Sequence, residues 1–138
     1  MDVKSRNKEL IQGIIHNLKA CSDLDSIERL PVKRGDLTAG YLRPITSLIN
    51  GAALNDAFLF ASWRTAYKKS FFTWRDFTEQ NVKRWLENNY ANNDSEIFFF
   101  IETPAQAPLG LVSLYDFDFD MSCCAFGRMI RGVENIEP

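Results

Sequence analysis

Apolar residues recur at helical spacing near the start of the chain. Leu10, Ile11, Ile14, Ile15 and Leu18 form one stripe, which predicts a helix from about Lys4 to Ala20. Ser22 is placed to cap a short helical turn through Leu30, and Pro31 stops it. The polar run from Pro31 to Asp36 then reads as a linker. Residues 1–36 are thus a helical extension or the tail of an upstream module, and residues 37–138 a second unit. His16 falls two positions from Ile14 and Leu18 and reads as a surface histidine.

From Leu37 the pattern changes. Tyr41 to Ile45 predicts a short strand whose Pro44 suits an edge or a strand end. Leu54, Ala57, Phe58, Ala61 and Tyr67 support a helix running through Trp63 and Arg64. After an aromatic connector, Ser70 to Phe77, Thr78 is placed as an N-cap with Glu79 and Gln80 in the first turn. Val82, Trp85, Leu86 and Tyr90 supply that helix's apolar stripe.

An Asn-rich cluster ends the helix, and three strand-like runs follow. Ile97 to Ile101 is short and continuously apolar, so both of its faces should be buried. Leu109 to Phe119 and Cys123 to Ile130 complete the set. The order predicts an α/β (α+β) domain: a mixed, mostly antiparallel sheet of about four strands, with two helices between the first and second.

Composition narrows the partners. Lys+Arg 16 against Asp+Glu 18 leaves a net charge of -2 with no basic stripe, which argues against nucleic acid and anionic membrane surfaces. Apolar runs fall far short of the ~20 residues that span a bilayer, and the amphipathic start is unlike a signal peptide, so the expected compartment is cytoplasmic. Cys21 stands apart from Cys123 and Cys124, His16 is the single histidine, and the spacing offers no metal site. Cys124 reads as a small buried apolar residue.

The order and spacing of Leu42-Arg43-Pro44-Ile45, Trp63-Arg64, Thr78 with Trp85-Leu86, Ile97 to Glu102, Pro108 to Leu114 and Ala125 to Ile130 resemble the front portion of the GCN5-related N-acetyltransferase (GNAT) fold. The likeness is to the branch of ribosomal-protein alanine and amino-sugar acetyltransferases, and it covers about residues 37 to 138. It implies acetyl-CoA as co-substrate and a small-molecule primary amine, an amino sugar or a peptide N-terminus, as acceptor. In such enzymes the fourth strand bulges and its backbone pairs with the pantetheine arm. That makes Met129, Ile130, Arg131 and Gly132 the cofactor-contact candidates. Gly127 either permits that approach or makes room for a packed aromatic.

The same resemblance places a Gly-rich pyrophosphate loop next, but Glu134 and Ile136 stand where Gly and Gly-or-Ala belong, so either the true loop lies later or this one has lost its function. The chain then ends at Pro138, so the expectation is an N-terminal portion, inactive by itself; the alternative is a non-catalytic interaction module. The last strand would be an exposed edge open to self-association. Trp63, Arg64, Tyr67 and Phe72 fall where the family builds its acceptor wall, the other reading of that aromatic face being ordinary core, and Tyr115 joins them as a substrate candidate.

Ala125 occupies a place where relatives often carry Glu. Strand alternation sends Asp116, Asp118 and Asp120 to one face and Tyr115, Phe117 and Phe119 to the other. Asp116, nearest the sheet interior, is the candidate to bind or deprotonate a cationic amine. Its other reading is a solvated strand end. A calcium loop starting there fails, since Met121 and Gly127 stand where Gly and Glu are needed.

Overall fold

The computed structural model describes residues 2–46, 55–70 and 76–132. In chain order these form α1 (Val3–Lys19), β1 (Leu30–Arg34), β2 (Leu37–Pro44), α2 (Asp56–Ala66), α3 (Glu79–Asn88), β3 (Ile97–Glu102), β4 (Pro108–Asp118) and β5 (Cys123–Arg131). Short 3-10 turns cover Leu24–Ser26, Lys68–Ser70 and Tyr90–Asn92. The strands make a five-stranded sheet in the order β1-β2-β3-β4-β5, each pair antiparallel.

β3 organises the domain because both of its faces are covered. Successive strand residues point to opposite sides. Phe98 and Phe100 meet Phe60 and Trp63 of α2 and Val82 and Leu86 of α3. Ile97 and Phe99 meet Val112 of β4 and Ile15 of α1. The sheet therefore lies between α2 and α3 on one side and α1 on the other.

Helix starts follow the local chemistry. Asp2 caps α1, its carboxylate accepting from Ser5 N at 2.7 Å, and Thr78 caps α3, accepting from Asn81 N at 3.1 Å. Only part of the α1 stripe faces the sheet: Ile15 is buried, Ile11 and Leu18 pack beside it, and Leu10 and Ile14 stay exposed. Lys19 takes the remaining inward position, one helical turn past Ile15.

That lysine is held by backbone oxygens. Its Nζ donates to Tyr90 O at 2.9 Å and to Asn93 O, and it sits 3.9 Å from the centre of the Tyr90 ring. Burial disfavours the charged amine and lowers its pKa to about 8, against the opposing pull of Glu96 and Asp94. Below pH 8 both folded and unfolded chains carry the proton, so the folded state bears the full desolvation cost. Between pH 8 and the ordinary value of 10.5 the unfolded chain holds a proton the folded one has released, and stability rises with pH. The gain is about 3 kcal/mol at most. Denaturant unfolding of the parent and Lys19→Met at pH 7 and pH 10 checks this: the parent gains relative to the variant, and a constant difference would refute it.

Two polar joints tie the layers together. Tyr90 is fully buried; its hydroxyl donates to Ile45 O at 2.9 Å and accepts from Phe98 N at 3.1 Å. Arg43, only 3% exposed, donates twice to Asp56, at 3.0 and 2.8 Å, and once to Glu102, at 3.0 Å. Arg29 donates to the other Glu102 oxygen at 2.8 Å. The Leu-Arg-Pro landmark is therefore a junction of β2, β3, α2 and the front segment.

Two local readings are corrected. The segment from Pro31 to Asp36 is not a linker: residues 30–34 form β1, paired with β2, and Gly35 turns the chain at φ 62. Every β1 residue is exposed, so no apolar alternation marks it, and an edge position tolerates Pro31. The cap expected at Ser22 falls to Asp23, which accepts from Asp25 N and Ser26 Oγ. The fold class stands, with one strand more and with every pairing antiparallel. Residues 1–36 rest against the same sheet as the strands that follow them.

Candidate active site

β5 departs from a regular ladder where the cofactor candidates lie. Leu111 pairs with Ile130 and Ser113 with Gly127, so two residues, Arg128 and Met129, stand against Val112 alone. This is a β-bulge, and Arg128 carries its strain at φ 50. Among the described residues no strand pairs with the outer edge of β5. Past the bulge, Gly132 N donates to Leu109 O at 2.7 Å. A Cβ at Gly132 would overlap the Trp63 ring, so only glycine allows this contact.

A cleft of about 1190 Å³ opens beside the bulge, between α2, α3 and the ends of β3, β4 and β5. Phe60, Trp85, Phe98, Leu111 and Ile130 form its apolar floor, and Asn81, Asn88, Arg64, Arg84 and Arg128 its polar rim. Among the described residues lining it, Glu96 is the one carboxylate. Glu96 pairs with Arg128 at 2.7 Å, and the Arg128 guanidinium lies 3.9 Å from the Tyr115 ring centre.

The sequence candidates divide. Arg64, Tyr115, Met129 and Ile130 come together around the cleft. Met129 is 60% exposed and Ile130 buried, while Arg131 continues along the open strand. Trp63 lies in the helix–sheet core, edge-on to Phe100 at 5.7 Å, and does not line the cleft. Tyr67 follows the end of α2 and packs at the margin of that core. Phe72 lies outside the described residues, as does the segment with Glu134 and Ile136.

Asp116 is placed differently from the expectation of a position near the sheet interior. A second bulge lies between Tyr115 and Asp118, Asp116 sits in it at φ 50, and its side chain is exposed. That extra residue reverses the alternation. Tyr115 faces the cleft, whereas Phe117 packs on the α1 side and stacks on Phe119 at 6.2 Å. Gly127 makes room for an aromatic, since a Cβ there would sit 3.0 Å from the Tyr115 hydroxyl. Cys124 is exposed with Cys123 rather than buried, because this end of β5 is an uncovered edge.

Sequence reasoning missed Glu96 and the role of Arg128. Glu96 closes a polar run that also holds Asp94, and its proximity to Arg128 is a long-range consequence of pairing β3 with β4 and β4 with β5. Among the described residues no His, Cys, Asp and Glu gather in a group able to hold a metal ion, and no helix is long and apolar enough to cross a membrane.

The architecture is a GNAT-like α+β fold. Among solved structures the chain is similar to the apo form of FdhC, described as a nucleotide-linked sugar GNAT, with a TM-score of 0.54 and 25% sequence identity. The likeness covers 76% of this chain and 55% of that one, so the chain spans about half the length of the protein it matches. No protein-family model and no curated protein matches it.

Proposed function

We propose that the chain is an acyltransferase domain that uses acetyl-CoA to acetylate a primary amine, with a nucleotide-linked amino sugar as the acceptor class. The observation that carries this reading is the bulge at Arg128–Met129, on an edge that no described strand pairs with and beside a cleft. A bulge turns backbone groups away from their partner strand, which suits pairing with the amides of a pantetheine arm along Met129, Ile130, Arg131 and Gly132. Acetyl-CoA would supply the activated acyl group; the chain supplies the strand that aligns it and the cleft that holds the amine. FdhC, a nucleotide-linked sugar GNAT, supports the acceptor class, and the arginines on the rim suit a phosphate-bearing ligand.

Glu134 and Ile136 weaken the pyrophosphate contact, because a carboxylate at the glycine place repels phosphate. Binding is therefore expected at millimolar rather than micromolar acetyl-CoA. In an NMR titration the amides of residues 129–132 should shift and those of β1 should not. Unmoved β5 amides at saturating acetyl-CoA would refute the acyltransferase reading and favour the interaction module. A second copy pairing along β5 would use the same edge, so acetyl-CoA should oppose any self-association seen by light scattering.

A further inference from the structure

We propose that Glu96 is the carboxylate that recognises the ammonium of the acceptor, and that Arg128 is the residue that positions it. The proposal rests on the acyltransferase reading, and it assigns the amine-binding role to the cleft rather than to Asp116. Glu96 precedes β3, and its side chain is 15% exposed, inside the cleft wall. One oxygen accepts from Arg128 Nη1 at 2.7 Å and the other from Asn93 Nδ2 at 3.2 Å. A carboxylate accepts about four hydrogen bonds, so these two contacts fix its orientation while leaving acceptor capacity for an incoming amine.

The placement is built from several elements. Arg128 belongs to the bulge, next to Met129, so one ion pair links Glu96 to the strand that would align the thioester. Its guanidinium stacks on Tyr115, and that ring fits because residue 127 is glycine. Arg128 holds a left-handed backbone conformation, strain that surrounding structure must maintain. Among the described residues the other charged groups lining the cleft, Arg64 and Arg84, are cationic. An ammonium entering there is repelled from the rim and drawn to Glu96, which orients the amine toward the bulge.

NMR titration of the full chain with UDP-glucosamine and with UDP-glucose, which differ by an amine for a hydroxyl, tests the assignment. The parent should bind the amine about tenfold more tightly, the usual worth of one charge-assisted hydrogen bond. Glu96→Gln should abolish that preference, and Glu96→Asp should keep part of it. Arg128→Lys, which retains charge without the stacked plane, should weaken the preference with less effect on binding of UDP-glucose. Glu96→Gln with its amine preference intact, or a parent that binds neither sugar, would overturn the proposal. Acetyl-CoA shifts at residues 129–132 report separately on the acyltransferase reading, and they should persist in Glu96→Gln. Unchanged β3 and β4 amide positions show that each variant is folded.

Discussion

Deleting residues 1–19 is expected to unfold the domain or to lower its Tm by about 15 °C or more. α1 covers the sheet face formed by Ile97, Phe99 and Val112, and those side chains are almost wholly buried beneath Ile15, Ile11 and Leu18. Burial of each such apolar side chain is worth about 1.5–3 kcal/mol. Three of them together approach the lower end of a small domain's total stability, about 5–15 kcal/mol. Deletion also removes Lys19, whose ammonium satisfies the carbonyls of Tyr90 and Asn93. The salt bridge between Lys4 and Asp120 adds little, since both groups are largely exposed. Thermal unfolding followed by circular dichroism, with a dye that reports exposed apolar surface, provides the measurement. A truncated chain that melts within a few degrees of the parent would mean that α1 belongs to another module.

What the sequence made legible were elements with strong periodicity. The α1 and α3 stripes, the cap at Thr78, and the run from Ile97 to Ile101 each express a local rule, and the five-residue run also implied two covered faces. β1 was not legible. Its residues are all exposed, it contains a proline, and its pairing partner is set by the turn at Gly35 rather than by burial. The site was legible as a strand but not as a set of contacts. Met129 and Ile130 were named because the resemblance sets β5 against the family's bulged strand, whereas Asp116 was placed by an alternation that the bulge at that residue breaks. A bulge adds one residue with no change in composition, so strand periodicity cannot register it. The α1 stripe shows the same limit, because Leu10 and Ile14 satisfy the helical spacing as well as Ile15 does. What selects Ile15 is the side of α1 that meets the sheet, where Ile15 and Lys19 are the buried residues.

Arg43→Met is expected to destabilise the domain by about 3–5 kcal/mol, the cost of leaving buried carboxylates without their cation. Asp56 and Glu102 are each about as buried as Arg43, and Asp56 accepts two hydrogen bonds from that guanidinium. Glu102 keeps Arg29, so Asp56 should account for most of the loss. The double variant Arg43→Met/Asp56→Asn should therefore be less damaged than the two single effects would sum to, by more than about 1 kcal/mol. Denaturant unfolding of the four proteins closes that cycle, and strictly additive effects would exclude the coupling. The consequence reaches the cleft. Asp56 opens α2, and Phe60 and Arg64, one and two turns further along the helix, line the cleft. Loosening the junction of β2, β3 and α2 should let that wall shift relative to β5. Arg43→Met should then weaken the response of the cleft to UDP-glucosamine even under conditions where the variant is fully folded. Unaltered sugar binding by the folded variant would confine the role of Arg43 to stability.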